Sequence, residues 1–345
     1  MSSMKLKAGA TEKVLSPGEQ QGKGKSIVAK EIGEIRKIIG PIADKFPALF
    51  SDASILRYLI ARNWNTKKAA KMMRETLKWR LEYKPEKIRW DDIAHEAMTG
   101  RLYKADFLDK QGRTVLVMRA GVQSTSSPNM QIKYLVYCLE NAILNQSSNQ
   151  EQMVWLVDFQ GWSKASISLK VTRETAQLVQ NHYPERLAYA ILYNPPKLFE
   201  SFWTMVKPFL ENKTYKKVRF VYPDNPKSRM IMEEIFDMNR LDSCFGGKSS
   251  VRFNTEAYAK KCREEDKKMS TFAESCYSSP STLHFLVSES QMSESTASDD
   301  NDGCEDEFSC DETVCSNMVK ADEILQGQAP SSKDDRKECM ANIAN

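Results

Sequence analysis

At 345 residues with a hydrophobic share of 41%, the chain can bury one large or two modest domains. Its longest apolar runs are of strand length, far below the ~20 residues a spanning helix needs. The formal net charge of +4 hides a division: residues 271–345 hold 16 acidic and 4 basic residues, near −12, leaving 46 basic and 30 acidic residues, near +16, in the rest. Such a basic body points to an anionic partner, membrane lipid or nucleic acid, although lysines solvating helix faces account for part of the excess.

Residues 1–28 are polar and rich in Gly, Ser and Lys, and are expected to be disordered. Lys5, Lys7 and Lys13 are not followed by an apolar core, so this start does not read as a secretory signal. A cytosolic protein is expected. Helical periodicity begins near Ile32. A cap at Ser51/Asp52 opens one helix, and Asn65-Thr66 opens a second with Ala69, Met72, Met73, Thr76, Leu77 and Arg80 at helical spacing, ended by Pro85. Residues 29–88 form a small helical unit.

From about Arg101 the period changes. The turn Asp109–Arg113 leads into a strand over 114–119, and a helix over 130–145 presents Tyr134, Leu135, Cys138, Leu139, Ala142 and Ile143. An apolar strand over 153–157 closes on Asp158-Phe159-Gln160-Gly161. A helix over 168–181, strands over 187–193 and 218–221, and a helix over 226–239 follow. Unalternating strands separated by helices indicate a mostly parallel, buried sheet, hence an α/β domain over 89–250. Residues 251–270 read as a C-terminal helix or linker. The Ser-, Asp- and Glu-rich residues 271–345 cannot bury enough surface to offset their ordering entropy.

Eight cysteines do not make a disulfide framework here. Five lie in the polar tail, and no Cys-x-x-Cys or Cys/His cluster occurs, so reduced thiols and no metal are expected. Gly246-Gly247-Lys248-Ser249 lacks the first Gly of a nucleotide loop, having Asp242 there, and no strand feeds it. Gly161-Trp162-Ser163-Lys164-Ala165 lacks the second Gly of a nucleophile elbow, and nothing in the spacing makes His182 and Asp158 triad partners. No catalytic residues are assigned. No nucleic-acid module is recognisable.

The most informative run is 181–210: Asn-His-Tyr-Pro-Glu-Arg, an apolar strand, Asn-Pro-Pro, then an aromatic helix over Leu198–Leu210. At 100° per residue, Leu198, Phe199, Phe202, Trp203, Met205, Val206, Phe209 and Leu210 fall within an arc of roughly 160°. Such a stripe is ordinarily the core face of a helix. It also suits a lid over a greasy cavity or a helix dipping into a bilayer interface. Among polar residues, Arg62, Glu185, Arg186, Thr214, Lys216, Lys217 and Arg219 stand out. Singly, each reads as a surface charge.

Together these motifs resemble the Sec14-like (CRAL-TRIO) phosphatidylinositol-transfer family over about residues 50–250. The resemblance implies a mostly parallel sheet flanked by helices enclosing a lipid pocket, with an N-terminal helical unit. It implies a headgroup site of Arg62 in Leu-Arg-Tyr-Leu-Ile-Ala-Arg-Asn, Glu185 in Tyr-Pro-Glu-Arg, and Thr214 and Lys217 in Lys-Thr-Tyr-Lys-Lys. Cationic donors suit a phosphodiester, and a carboxylate accepts from inositol hydroxyls. The aromatic helix becomes a gate (Phe199, Phe202, Trp203, Val206, Phe209), and Met153, Trp155, Val179 and Tyr183 line the pocket. Members that bind phosphatidylcholine place small hydroxyl residues where this chain has Met153, Trp155 and Val179. The second lipid is therefore expected to be another hydrophobe. The implied protein is a monomeric, non-catalytic carrier without a cofactor. It touches anionic membrane transiently and exchanges phosphatidylinositol, or presents it to lipid-modifying enzymes. The alternative is an α/β enzyme acting on a nucleotide or ester.

Overall fold

The computed structural model describes the backbone of residues 17–276, apart from 125, 148–149, 164–165 and 167, and side chains from residue 26 to 271. The expectations for 1–16 and for the acidic tail beyond Cys276 lie outside the described residues. The first helix, α1 (Pro17–Ile39), starts inside the stretch assigned to disorder, which corrects that boundary. Ile32, Ile35 and Ile39 anchor its second half in the core, and each further residue toward Pro17 then adds one backbone bond to an existing helix. After the single turn α2 (Ile42–Lys45), the expected caps operate. The Ser51 hydroxyl accepts from the Ser54 N–H to open α3 (Asp52–Ala61), and Asn65 Oδ1 accepts from the Lys68 N–H to open α4 (Thr66–Tyr83). Phe50, Ile55, Leu59 and Met73 complete the core of this helical unit.

The second unit follows as α5 (Trp90–Ala97), β1 (Leu102–Leu108), β2 (Thr114–Arg119), α6 (Pro128–Leu144), β3 (Met153–Asp158), α7 (Leu169–His182), β4 (Leu187–Tyr193), α8 (Phe199–Val206), α9 (Asn212–Tyr215), β5 (Val218–Val221), α10 (Pro226–Ile235) and α11 (Thr255–Cys276). The strands lie side by side in chain order, with β1 antiparallel to β2 and the other pairs parallel. The expected mostly parallel sheet is present. Strand β1 was not legible because Lys104 interrupts its apolar pattern. Its ammonium is buried 2.6 Å from Glu265 of α11, which makes it a core residue. The same helix accepts the Trp90 N–H and the Tyr137 hydroxyl on Asp266, so it is a packed part of the domain rather than a linker. Helix α10 ends at Ile235, short of the expected Asn239.

Register assigns the two faces. Leu116, Trp155, Ala190 and Val218 form one row across the sheet, and Met118, Val157, Leu192 and Phe220 the next row on the same face. The opposite face carries Val115, Val117, Val154, Leu156 and Ile191, all fully buried. It is sealed by the segment after α10, where Tyr103 stacks on Phe253 at 3.9 Å and Tyr193 meets Phe245 at 5.3 Å. The glycines in that segment have structural work. A Cβ on Gly247 would lie 1.9 Å from the Leu241 carbonyl oxygen, and Gly246 takes φ +80° to end the preceding turn. The first face differs: Met118, Trp155, Val157, Ala190, Val218 and Phe220 are only half-buried there.

The two units meet at a buried ionic cluster. Arg80 of α4 donates from Nη1 and Nη2 to the two oxygens of Glu140 on α6, both at 2.9 Å, and from Nη2 to Glu86 at 3.2 Å. The Tyr183 hydroxyl adds a third donor to Glu140 at 2.6 Å. Burial alone would raise the Glu140 pKa. Arg80 and the tyrosine outweigh it and hold the carboxyl below its ordinary range. The Thr76 hydroxyl donates to the Asn181 carbonyl, and Trp79 stacks on His182 at 4.3 Å. Helix α6 is buried on every side from Tyr134 to Ala142 rather than along the expected stripe, because α5, α7, α11 and β1 all pack around it. Removing one member strands a buried charge. Glu140→Ala is expected to destabilise the fold by about 3–5 kcal/mol, whereas the Arg80→Met, Glu140→Leu pair loses much less. Urea unfolding of the variants checks this; equal losses would mean the pair acts by packing alone.

Candidate functional site

Three local structures deliver the polar residues. Arg62 is the C-cap of α3, beyond which Asn63 and Trp64 both take positive φ. The run Tyr183-Pro184-Glu185-Arg186 is a tight turn with proline second and a positive φ of 56° at Glu185, closed by the Arg186 N–H donating to the Tyr183 carbonyl at 3.4 Å. A type II turn prefers Gly or Asn at that third position; glutamate there is strained. The third structure is the one-turn helix α9, which carries Thr214 and leads into Lys217 and β5.

Ion pairs join these pieces into one path. Arg62 Nη1 lies 3.1 Å from Glu211 at the start of α9, and the Lys213 ammonium donates to the Ile60 carbonyl of α3. Thr214 lies one turn after Glu211, and its carbonyl accepts the Lys217 N–H at 3.0 Å. The Lys217 ammonium then pairs with Glu185 at 2.8 Å. The four residues implied by the resemblance thus lie along one connected edge, all partly exposed, with Glu211 as a member that single-sequence reading missed. Two cations, a hydroxyl and two carboxylates are the donors and acceptors for a phosphate ester bearing hydroxyl groups.

The apolar candidates divide. Met153 is fully buried, while Trp155 and Val179 are half-buried against the same core. The buried indole nitrogen of Trp155 has no hydrogen-bond partner, which marks the surroundings as apolar. Tyr183 is placed apart from these three. It faces a cleft of about 460 Å³ between the helical unit and the sheet domain, where Arg57, Tyr58, Arg80, Glu140 and Arg186 also lie. Charges in this cleft pair internally: Arg57 and Arg186 share Glu151, and Arg80 joins Glu86 and Glu140. Burial and then Arg57 lower the Arg186 pKa to about 10, and burial lowers that of His182 to about 4. Arg57, in the Leu-Arg-Tyr-Leu-Ile-Ala-Arg run that also holds Arg62, is the sequence signal for this cleft.

The aromatic helix is shorter than expected. It runs as α8 to Val206 and tightens into a 3₁₀ turn over Lys207–Phe209, because Pro208 has no N–H for a continuing ladder. Phe199, Val206 and Phe209 are buried, Phe202 and Trp203 half-buried, and Leu198 is half-exposed rather than inward. Phe199 packs on Phe159 at 4.4 Å, and Trp203 lies across Phe220 of the half-buried sheet face at 5.4 Å. The side chain of Gln180 brackets the end of this segment, donating to the Phe209 carbonyl and accepting the Glu211 N–H. Among the described residues, no group of three His, Cys, Asp or Glu could hold a metal ion, and no helix is long and apolar enough to cross a membrane.

Comparison with known proteins adds an independent line. The profile of the CRAL/TRIO domain matches residues 98–247, and that of the CRAL/TRIO N-terminal domain matches residues 47–75. A CRAL-TRIO domain-containing protein of Schizosaccharomyces pombe is 31% identical over 59% of this chain and 19% of its own length. The phosphatidylinositol transfer protein PDR17 of Saccharomyces cerevisiae is 32% identical over 63% of each chain. The SEC14 cytosolic factor of Candida glabrata is 28% identical over 60% of this chain and 74% of its own. The chain therefore spans less than two thirds of the first two relatives. The crystal structure of Sfh5 superposes with a TM-score of 0.51 at 17% identity, covering 72% of this chain and 92% of Sfh5, a likeness of fold.

The strained Glu185 is a poor choice for the turn alone. Asparagine tolerates its backbone conformation, and the pair lost with Lys217 is partly exposed, worth about 1 kcal/mol at most. Glu185→Asn is therefore expected to unfold in urea within about 1 kcal/mol of the parent. A loss several times larger would make the pair structural.

Proposed function

This chain belongs to the Sec14-like CRAL-TRIO family, and on that footing we propose that it binds phosphatidylinositol in a gated pocket and exchanges it between membranes, or presents it to lipid-modifying enzymes. The observation that carries the reading is the connected edge Arg62–Glu211–Thr214–Lys217–Glu185 at the seam of the two units. The phosphodiester takes Arg62, Thr214 and Lys217; the inositol hydroxyls donate to Glu185. Capture exchanges Glu211 for phosphate on Arg62. Acyl chains lie on the half-buried sheet face beneath α8, which moves aside at a bilayer, where its aromatic face is solvated by lipid. No chemical change is made to the lipid. The protein acts as a cytoplasmic monomer, touches anionic membrane transiently, and uses neither cofactor nor nucleic acid.

An enzyme acting on a nucleotide or ester is the weaker reading. Gly246 and Gly247 serve a backbone turn against Leu241. His182 stacks on Trp79, away from Asp158, which accepts the Gln160 N–H.

Truncating a cation that holds the phosphate should cost about 2–5 kcal/mol of lipid binding, roughly 30-fold or more. Arg62→Ala and Lys217→Ala are expected to fall by that factor in transfer of labelled phosphatidylinositol between vesicles. Parental rates in both would sink the headgroup assignment.

The second ligand is proposed to be a weakly polar lipid such as a sterol rather than phosphatidylcholine. Met153 and Trp155 share one face of β3, and Val179 supplies no hydroxyl, so a choline phosphate would be desolvated without donors. Lipid-free protein offered mixed vesicles should take up phosphatidylinositol and leave phosphatidylcholine, and Met153→Ser with Trp155→Thr should gain it. Stoichiometric phosphatidylcholine on the parent protein refutes this.

A further inference from the structure

We propose that the ridge where the α3–α4 turn meets α9 seats this protein on an anionic bilayer, with Trp64 as its apolar anchor; the inference rests on the lipid-exchange reading above. Helix α3 closes with the Asn63 N–H donating to the Ile60 carbonyl at 3.3 Å and the Trp64 N–H to the Leu59 carbonyl at 2.7 Å. In such a closure an apolar residue at the Trp64 position ordinarily folds back onto the helix. Here the indole stays 44% exposed, and its backbone sits at φ 64°, directly after Asn63 at φ 51°. Asparagine adopts that conformation readily. For tryptophan it is an outlier that the surrounding structure must hold.

The ridge is continuous with the gate. Lys213 bonds the Ile60 carbonyl and Arg62 pairs with Glu211, which ties the turn to α9. On α9, Tyr215 is 37% exposed, stacks on Trp203 of α8 at 6.1 Å, and has the Lys207 ammonium 4.7 Å from its ring. Charge completes the match. Residues 62–68 and 207–217 carry seven cations and one carboxylate, and that carboxylate, Glu211, is already engaged by Arg62. Exposed aromatic rings among excess cations are what an anionic headgroup layer accepts: the rings sit at the interface and the ammoniums on phosphate. A single-stranded nucleic acid also takes aromatic and basic surface. Continuity with the gate favours the bilayer, because a lid that opens into lipid must be held against it. Exposure alone is no criterion. Met230 is 67% exposed on α10, among balanced charges and beside the sealed sheet face.

The test is flotation of the full chain with phosphatidylcholine vesicles, with and without phosphatidylserine, alongside transfer of labelled phosphatidylinositol. Trp64→Ala is expected to lower partitioning onto the anionic vesicles about tenfold. Trp64→Phe should keep most of it, and Met230→Ala should match the parent. Quenching of tryptophan fluorescence by lipids brominated near the headgroup should drop in Trp64→Phe, which also covers the case that the alanine variant folds poorly. The proposal falls if Trp64→Ala partitions like the parent, if Met230→Ala loses as much, if the parent binds no vesicles, or if Trp64→Ala loses only binding to a single-stranded oligonucleotide. A parent that floats through Trp64 yet transfers no phosphatidylinositol would leave the ridge standing and remove the exchange reading instead.

Discussion

The bidentate contact of Arg80 with Glu140 is the constraint on which the rest of the molecule's geometry depends. It fixes α4 against α6, and α4 in turn holds α3, whose last residue supplies Arg62. Without that seam the helical unit could pivot, and Arg62 would leave the edge formed by α9 and the Tyr183–Arg186 turn. The same carboxylate also holds the Tyr183 hydroxyl, which fixes the residue before the proline of the Glu185 turn. A buried pair of this kind contributes little net stability beyond what apolar residues would give. Its value lies in register, since planar guanidinium and carboxylate meet squarely in only one orientation.

The sheet adds a second asymmetry. One face is closed by aromatic contacts from the segment after α10, and its central residues are fully buried. The other carries two rows of apolar side chains, many half-buried, beneath a short helix ended by a proline. A core meant only for stability would fill both faces alike, because half-buried apolar surface forgoes transfer free energy. Gln180 pins one end of that helix by two backbone hydrogen bonds, and Asn194 at φ 53° followed by Pro195-Pro196 sets the other. The segment between is joined to the sheet by aromatic contacts rather than by backbone hydrogen bonds, and apolar contacts can be exchanged for acyl chains at little loss.

Much of this was legible in the sequence. Capping residues at Ser51 and Asn65 act where expected, and β2, β4 and β5 run as read. Local signals failed where tertiary context overrode them. Lys104 hid β1 because its partner, Glu265, lies 161 positions away. Polar composition hid the start of α1, which is anchored from its far end. Glu140 carries no signal in the apolar spacing of α6, yet it is the hub of the seam. The resemblance supplied Arg62, Glu185, Thr214 and Lys217, but not Glu211, which lies on one edge with them only once α3 and α9 meet. It also gave Tyr183 to the pocket lining, and the structure sets it in the cleft at the seam with its hydroxyl on Glu140.

Charge balance along that edge bears on what kind of binding it can support. As folded, Arg62 faces Glu211 and Lys217 faces Glu185, so these four charges balance. On the proposed reading, a phosphodiester arriving there meets no bare charge; it displaces Glu211 from Arg62. Pairs this exposed are worth about 0.2–1 kcal/mol each, so the exchange costs little in either direction. A fully buried, uncompensated cation would hold the same anion far more tightly and release it slowly. Catalysis on a phosphate would call for that excess of positive charge at the reacting group. A carrier needs the opposite, a site whose empty and filled states differ by a small free energy, so that lipid can leave at the next membrane. If the proposed headgroup site is right, the internal pairing at this edge provides that near-balance.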